Sequence, residues 1–269
     1  MVRCVQGMST VVADHGGPPA AGSGTWVIVP TYNERDNVGR FVPAVLGAVP
    51  DAHVLIVDDN SPDGTGVLAD ELAAADSRVS VLHRDQKAGL GEAYRAGFRE
   101  VLRHPTSERI VQMDCDFSHD PEELAALLAP IDNGYDLALG SRYIPGGSTP
   151  GWGARRQFVS KAGNFVARTV LSLPYRDMTG GFKAWRRETL AALDLDGGYA
   201  QGYGFQIEMT WQADRQGRRI VEVPITFRER TAGISKMTAS IALEALLMVL
   251  KLRMRGPNHR KVRRPESSI

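Results

Sequence analysis

The sequence is poor in cysteine, and its two cysteines, Cys4 and Cys115, lie far apart in the chain. Two distant cysteines form neither a disulfide framework nor the paired spacing of a zinc site, so a reducing compartment is the expected environment. The six histidines are scattered and show no metal-ligand spacing either. These absences disfavour a disulfide-stabilised secreted domain and a metal centre built on cysteine or histidine.

Long hydrophobic runs are also missing. The longest apolar stretch, Ile241 to Leu250, is interrupted by Glu244, and it falls well short of the roughly 20 apolar residues that a transmembrane helix needs. Residues 1–24 are rich in Gly, Ala, Ser and Pro, but they lack the charged start and apolar core of a signal peptide. We therefore expect residues 1–24 to form a disordered leader.

Neither sign of charge dominates, because 32 Lys and Arg residues are balanced by 31 Asp and Glu residues. That balance gives no argument for nucleic acid as a partner, and none is predicted.

Residues 251–264 nevertheless contain seven basic residues and no acidic one. We interpret residues 237–255 as an amphipathic helix and residues 256–269 as a basic disordered tail. Such a helix can lie on an anionic membrane or pack on the domain, and the sequence leaves both interpretations open.

What the sequence has in abundance is an alternation of short apolar runs with segments of helical periodicity. The runs that predict strands are TWVIVP (25–30), HVLIVDD (53–59), VSVL (79–82), RIVQM (109–113) and YDLALG (135–140). A later run, RIVEVPITF (219–227), predicts an edge strand because it contains Pro224. This pattern predicts one α/β domain, a mostly parallel sheet with helices on both faces.

Polar residues lie at or just beyond the end of each of the first four predicted strands. They are PTYNE at the end of the first, Asp58 and Asp59 at the end of the second, Arg84 and Lys87 after the third, and Asp114-Cys115-Asp116 at the end of the fourth. Ligands of parallel α/β sheets bind at the carboxyl ends of the strands. We therefore expect these residues to line one site.

The segment VQMDCDFSHDPEE (111–123) carries two closely spaced aspartates. In an extended segment Asp114 and Asp116 face one side, while Cys115 faces the other as a small buried hydrophobe. Paired carboxylates repel unless a cation is near, and Mg²⁺ or Mn²⁺ binds carboxylates together with phosphate oxygens. The motif therefore predicts a metal-bound nucleoside diphosphate, although a helix-capping acidic turn without any ligand remains the alternative. Asp120, followed by Pro121 and by Glu123 at the third position, predicts the start of a helix.

Two other motifs point to functions that the sequence disfavours. Gly89-Leu90-Gly91 resembles the start of a dinucleotide-binding loop, but Tyr94 occupies the place of the third glycine, which argues against a nicotinamide-dependent oxidoreductase. The acidic turn at residues 58–64 lacks the glutamate that closes a calcium-binding loop. A turn that contacts a nucleoside is the better interpretation of that segment.

Six motifs together resemble the family 2 glycosyltransferases of the GT-A (Rossmann-like) fold, and most closely the polyprenol-phosphate (dolichol-phosphate) mannose synthases. They are PTYNE, DDNSPDGT, DCDFSHDPEE, GSRYIPGG, TGGFKAWRR and RERTAGISK. The resemblance covers residues 25–255 and implies a GT-A domain over residues 25–236. The QxxRW motif of processive polysaccharide synthases is absent, so the transfer of a single sugar is favoured.

The resemblance also implies roles for individual residues. The residues that it places around a guanosine are Pro30, Tyr32, Glu34, Val57 and Asp59. Those that it places at the nucleotide or at donor and acceptor phosphates are Asp114, Cys115, Asp116, Arg142, Arg230 and Lys236. It assigns the metal to Asp116, and also to Ser118, which stands where archaeal relatives have a metal-binding Gln.

The implied reaction is an inverting transfer of mannose from GDP-mannose to a polyprenyl monophosphate, for cell-envelope glycan or protein mannosylation. The acceptor phosphate is already anionic and needs orientation more than a base. Arg142 and Arg156 are the candidates to hold it, because a guanidinium binds phosphate in a bidentate manner, while metal at Asp116 would stabilise the leaving group. Another donor such as UDP-glucose, or a non-catalytic nucleotide-sugar-binding module, are the alternatives.

The implied acceptor is a lipid, so a membrane is part of the prediction. Because the sequence offers no membrane span of its own, we expect peripheral attachment to the cytoplasmic face of the cell membrane, directly or through a separate membrane-protein partner.

Overall fold

The computed structural model describes residues 24–197, 202–229 and 248–254. Its elements, in chain order, are β1 (Thr25–Thr31), α1 (Arg35–Ala48), β2 (His53–Asp58), α2 (Thr65–Ala75), β3 (Val79–His83), α3 (Leu90–Arg103), β4 (Arg109–Gln112), α4 (Leu124–Asp132), β5 (Leu137–Ser141), α5 (Ala154–Leu171), β6 (Lys183–Arg186), α6 (Arg187–Ala191), α7 (Gly202–Arg215) and β7 (Ile220–Pro224). Residues 248–254 are also helical. The predicted leader up to residue 23, most of the amphipathic C-terminal helix and the basic tail lie outside the described residues.

The strands form one seven-stranded sheet in the order β3-β2-β1-β4-β6-β5-β7. Strands β1 to β4 run parallel to one another, β5 is parallel to β7, and β6 runs antiparallel between β4 and β5. The predicted mostly parallel α/β sheet is confirmed. The predicted edge position of the strand that contains Pro224 is also confirmed, because β7 is the last strand of the sheet.

Alternate residues of each central strand enter two different hydrophobic cores. In β1, Trp26 and Ile28 belong to one core, and Val27 and Val29 belong to the other. Helices α3 and α7 contribute to the first core, and α1 and α4 contribute to the second. Side chains that alternate in this way are buried on both faces of the sheet, as the helices on both faces require.

The helix start predicted at Asp120 is confirmed. Asp120 Oδ1 accepts a hydrogen bond from the amide of Glu122 at 3.1 Å, and Pro121 begins a short 3₁₀ turn that leads into α4. Proline tolerates this position because its missing N–H would have no partner there.

Among the residues that the structure describes, no helix combines the length and apolar character needed to cross a bilayer.

Strand β6 is an element that the sequence analysis did not predict. Its first residue, Lys183, is buried and lies opposite Gln112 of β4. The Lys183 ammonium donates to the carbonyl of Gln206 at 2.7 Å and to Thr210 Oγ1 at 2.9 Å, both on α7. A lysine at a buried strand position breaks the apolar pattern by which strands are recognised, and its partners lie on a helix distant in sequence.

Lys183 predicts a specific pH dependence of stability. Burial lowers the pKa of Lys183 from its ordinary 10.5 to about 7. Above the folded pKa the unfolded chain binds this proton and the native chain does not, so the free energy of unfolding rises with pH between about 7 and 10. We expect wild type to gain up to about 1.4 kcal/mol per pH unit relative to Lys183→Met, measured by urea unfolding. Parallel curves for the two proteins would contradict this assignment.

Candidate active site

The candidate active site lies at the edge of the sheet where β1, β2 and β4 end. Thr31, the last residue of β1, pairs in register with Asp58, the last residue of β2. The amide of Asp59 donates to the carbonyl of Thr31 at 3.0 Å. Strand β4 runs parallel to β1 on its other side, and the chain after it reaches Asp114 within two residues. The predicted convergence of these polar strand ends is confirmed.

The acidic turn after β2 is held by its own side chains. Asp58 Oδ1 accepts hydrogen bonds from Thr31 Oγ1 at 3.0 Å and from Ser61 Oγ at 2.5 Å. Asp63 Oδ1 accepts from the amide and the hydroxyl of Thr65, at 3.0 and 2.6 Å. Asp58 and Asp63 are therefore structural carboxylates that fix the start of α2, and the predicted turn is confirmed.

Asp59 and Tyr32 are two of the residues expected to contact a nucleoside. Asp59 is buried and makes a short ion pair with Arg84, which follows β3. Burial raises the pKa of Asp59, against the opposing charge of Arg84. The Lys87 ammonium lies 3.6 Å from the centroid of the Tyr32 ring. The segments after β1, β2 and β3 thus meet, which brings the predicted Arg84 and Lys87 to the same place as Tyr32.

The remaining residues predicted near the nucleotide differ in accessibility. Pro30 and Glu34 are partly exposed at the end of β1 and just beyond it. Val57 is fully buried in the core, so only its backbone can contact a nucleoside. Cys115 is buried as predicted, and burial raises the pKa of its thiol well above the usual value. A nucleotide contact at Cys115 is therefore also limited to the backbone.

The two aspartates after β4 occupy a turn. The sequence analysis assumed an extended segment, but β4 ends at Gln112 and a turn begins at Cys115, so that geometric argument was wrong. Asp114 Oδ1 accepts a hydrogen bond from the hydroxyl of Tyr94 at 2.9 Å. Asp116 is buried, and its Oδ1 accepts from the amide of Ser118 at 3.0 Å. Each carboxylate is therefore oriented by a specific donor.

Tyr94 was recognised only as the residue that breaks a glycine motif. It is completely buried on α3, and burial, followed by the charge of Asp114, raises the pKa of its hydroxyl well above the usual value. The hydroxyl therefore stays protonated and donates to Asp114. Gly181 also lies close to Asp114, since a Cβ added at Gly181 would lie 3.2 Å from Asp114 Oδ2.

The residues around Asp116 fit a hard divalent cation. The hydroxyl of Ser118 is buried and has no hydrogen-bond partner among the described residues, which suits a ligand oxygen. The described part of the chain contains no cluster of three or more His, Cys, Asp or Glu residues that could hold a metal. Mg²⁺ is commonly bound by one or two carboxylates plus phosphate oxygens of the substrate. A site of Asp116 and Ser118 that is completed by a nucleotide matches that pattern.

Arg142 is clamped by a partner that the sequence analysis missed. Arg142 Nε donates to Asp177 Oδ2 at 2.6 Å, and Nη2 donates to Asp177 Oδ1 at 2.7 Å and to Thr179 Oγ1 at 2.9 Å. Both members of the ion pair are buried. Burial alone would raise the pKa of Asp177, but the charge and hydrogen bonds of Arg142 outweigh it and hold that pKa below its usual value. Asp177 therefore fixes the position of the Arg142 guanidinium.

Trp152 brings Arg142 and Arg156 together. The Arg156 guanidinium lies 3.9 Å from the Trp152 ring centroid, and the Arg142 guanidinium lies 5.5 Å from it. Arg156 also pairs with Glu229 at 3.1 Å in a partly exposed salt bridge. The two arginines predicted to hold a phosphate thus share one indole. Arg230 and Lys236, the other predicted phosphate-binding residues, lie outside the described residues.

His119 is another residue that the sequence analysis did not single out. It is completely buried, and its ring stacks on Phe182 with centroids 5.1 Å apart. Neither ring nitrogen has a hydrogen-bond partner among the described residues. Burial lowers the pKa of His119, against the charges of Asp114 and Asp116. A neutral imidazole therefore lies within electrostatic reach of the acidic pair.

Comparison with known proteins identifies the family. The glycosyl transferase family 2 pattern matches residues 26–193. The chain belongs to glycosyl transferase family 2. This glycosyltransferase is 52% identical to polyprenol monophosphomannose synthase of Mycolicibacterium smegmatis over 233 residues, which cover 86% of this chain and 88% of the relative. It is 48% identical to undecaprenyl-phosphate mannosyltransferase of Micrococcus luteus over 224 residues, which cover 83% and 91% of the two chains.

Solved structures establish the fold of this glycosyltransferase as GT-A. One is glucosyl-3-phosphoglycerate synthase from Mycobacterium tuberculosis in complex with Mn²⁺ and UDP-glucose, with a TM-score of 0.62 and 22% identity over 87% of this chain and 79% of that one. Another, in complex with phosphoglyceric acid, gives a TM-score of 0.63 at 20% identity over 86% and 80% of the chains. The predicted GT-A fold and glycosyltransferase class are confirmed, so the oxidoreductase and non-catalytic alternatives are set aside.

Proposed function

We propose that this glycosyltransferase moves mannose from GDP-mannose to a polyprenyl monophosphate. The proposal rests on the two relatives at about half identity, whose names both describe mannose joined to a polyprenol phosphate. The geometry supports the proposal. The acidic pair, Asp114 and Asp116, follows β4, and the arginine pair, Arg142 and Arg156, follows β5. The acidic pair suits the metal-bound diphosphate of the donor, and the arginine pair suits the phosphate of the acceptor.

The donor side of the site comprises the ends of β1 and β2 and the turn after β4. Tyr32 and Asp59 would contact the nucleoside, with Pro30, Glu34 and the backbone of Val57 beside them. Asp114, held by Tyr94 at 2.9 Å, and the backbone of Cys115 would contact the nucleotide.

Asp116 and Ser118 would hold Mg²⁺ or Mn²⁺, which when bound supplies positive charge to the leaving diphosphate. These residues present a buried carboxylate and a buried hydroxyl that has no partner in the described structure. Oxygen ligands of this kind are those that hard cations prefer.

The acceptor side comprises Arg142, Arg156 and Trp152. An acceptor phosphate oxygen attacks the anomeric carbon of mannose, the bond to the diphosphate breaks, and GDP leaves. Attack from the face opposite the leaving group inverts the anomeric carbon and gives a β-linked product. Because the attacking oxygen is already anionic, the arginines orient it and no base is needed. Arg230 and Lys236 are proposed to bind phosphates alongside them.

A lipid acceptor places the enzyme at a membrane. We propose that it works at the cytoplasmic face of the cell membrane as a peripheral protein, attached directly or through a separate membrane-protein partner. The basic residues of the segment 251–264 suit the anionic lipids of that leaflet.

A donor comparison tests the proposal. The purified chain is mixed with a short polyprenyl phosphate in detergent, Mg²⁺ or Mn²⁺, and either labelled GDP-mannose or labelled UDP-glucose. We expect label from GDP-mannose in the organic phase, little from UDP-glucose, and none after addition of EDTA. Equal or greater transfer from UDP-glucose would identify UDP-glucose as the donor. Transfer that persists in EDTA would show that the reaction does not need a divalent metal.

A further inference from the structure

The turn that carries Asp116 and Ser118 has an uncommon backbone conformation at the residue between them. Phe117 has a φ of 56°, which lies in the left-handed region that residues other than glycine, asparagine and aspartate rarely adopt. Four non-glycine residues in the part of the chain that the structure describes have a positive φ, and the other three are Asn33, Asn60 and Ser172. Phe117 is the only bulky residue of the four, and it stands between the two residues that fit a cation.

The left-handed residue sets the shape of this turn. The amide of Ser118 donates to Asp116 Oδ1 at 3.0 Å, so the chain folds back within three residues and brings residue 118 to the carboxylate. Asp116 and Ser118 are both buried, and the hydroxyl of Ser118 has no hydrogen-bond partner among the described residues. A right-handed conformation at Phe117 would redirect the chain after Asp116. It would therefore change the position of the hydroxyl relative to the carboxylate.

The ring of Phe117 is anchored on helix α1. It packs edge-to-face against Phe41, with ring centroids 5.1 Å apart and an angle of 78° between the ring planes. The Arg40 guanidinium lies 5.7 Å from the centroid of the same ring. Phe41 is completely buried in the core to which α1 and α4 contribute, so it offers a fixed surface. Edge-to-face ring pairs and cation–π contacts are attractive, and here they offset the strain of the left-handed backbone.

The anchor of Phe117 also connects the turn to the rest of the candidate site. Helix α1 begins at Arg35, directly after Glu34 at the nucleoside side. On the other side of the turn, the amide of Arg228 donates to the carbonyl of Ser118 at 3.0 Å. The Phe117 ring is thus the contact through which the helix that starts at the nucleoside side supports the acidic turn.

We propose that Phe117 is a positioning residue for the metal site. Its ring, held by α1, keeps the backbone in the left-handed conformation in which Asp116 and Ser118 present their oxygens to a divalent cation. The inference rests on the proposed function for the metal-bound nucleotide, and it deepens that function by naming the residue that preorganises the turn. Phe117 acts through its two neighbours and not by contact with the substrate.

Two substitutions separate this backbone role from simple packing. Phe117→Ala removes the ring but keeps the cost of the left-handed conformation, whereas Phe117→Gly removes the ring and also that cost, because glycine adopts a positive φ readily. The apparent affinity for metal falls with the fraction of molecules whose turn is competent to bind. We expect Phe117→Ala to bind Mn²⁺ at least about ten-fold more weakly than wild type, and Phe117→Gly at least about three-fold more tightly than Phe117→Ala.

A conservative variant tests the anchor itself. Phe117→Leu keeps apolar bulk against Phe41 together with the left-handed backbone, so it should bind Mn²⁺ within about three-fold of wild type. If Phe117 only fills space, the glycine variant will bind Mn²⁺ no better than the alanine variant, because glycine leaves the larger gap.

Binding of Mn²⁺ in the presence of excess GDP is the readout, measured without mannose transfer by electron paramagnetic resonance of the free ion. The controls are Ser172→Ala and Ser172→Gly, because Ser172 has a φ of 57° but lies at the end of α5. Both controls should bind Mn²⁺ within about two-fold of wild type. The melting temperature of each variant, with and without Mn²⁺ and GDP, shows whether it is folded and reports the metal-induced stabilisation independently.

Mannose transfer by the same proteins separates the inference from the proposed function. If the three Phe117 variants bind Mn²⁺ in the expected order but wild type transfers no mannose, the proposed function fails and the role of Phe117 stands. If wild type transfers mannose but the alanine variant binds Mn²⁺ as tightly as wild type or as the glycine variant, the inference is overturned and the function stands. A wild-type protein that binds no Mn²⁺ with GDP would overturn the inference together with the metal assignment.

Discussion

Replacing Asp116 with asparagine is expected to lower mannosyl transfer by at least about 10²- to 10³-fold. Asn keeps the size of the side chain and an oxygen that can accept from the amide of Ser118, a hydrogen bond of 3.0 Å in wild type. It removes the negative charge that a divalent cation needs. Transfer of labelled mannose and metal-dependent binding of GDP-mannose measured by calorimetry should therefore fall together.

The control for Asp116→Asn is Asp120→Asn in the same segment. Asp120 caps the turn that begins at Pro121, so its replacement is expected to cost at most about 1 kcal/mol of stability and little activity. An Asp116→Asn enzyme that keeps metal-dependent transfer within about ten-fold of wild type would remove Asp116 from the metal site. A large loss in Asp120→Asn would show that the segment is merely sensitive to any change.

Replacing Asp177 with asparagine is expected to destabilise the fold by about 3–5 kcal/mol. The change removes the charge of the carboxylate that two nitrogens of the buried Arg142 guanidinium contact in wild type. Urea unfolding measures the loss. Activity of the folded fraction should fall as well, because Arg142 is no longer fixed near Trp152 and Arg156.

Glu229→Gln is the matched control for Asp177→Asn. It weakens the salt bridge between Arg156 and Glu229, whose side chains are 28% and 61% exposed. Exposed ion pairs contribute about 1 kcal/mol or less to the free energy of unfolding. A double-mutant cycle with Arg142→Met isolates the coupling between Arg142 and Asp177. If Asp177→Asn lowers the free energy of unfolding no more than Glu229→Gln does, the buried ion pair with Asp177 does not fix Arg142 in place.

The parallel half of the fold and its site could be predicted because local patterns determine them. Strands β1 to β4 are short apolar runs, and parallel strands bring their carboxyl ends to one edge, so Asp58, Asp59 and Asp114 converge without any knowledge of tertiary contacts. Asp120 and Pro121 likewise predict a helix start, because the hydrogen bonds that cap a helix involve only neighbouring residues.

The residues that were missed depend on contacts between distant parts of the chain. Lys183 in β6 is paired with α7, and Asp177 reaches Arg142 across 35 positions of sequence. Tyr94 was recognised only as a residue that breaks a glycine motif, yet its hydroxyl orients Asp114 over a sequence separation of 20. Because a buried cation requires a partner, a search for a carboxylate to match Arg142 is the signal that could have found Asp177.

Analysis of the lipid product tests the proposed mannosyl transfer. Purified protein is incubated with GDP-mannose, a polyprenyl phosphate and Mg²⁺, and the lipid is examined by mass spectrometry while released GDP is counted. We expect one hexose on each modified lipid phosphate, one GDP released for each, and a β anomeric configuration by NMR. Release of GDP without a mannosylated lipid, or an α-linked product, would contradict it.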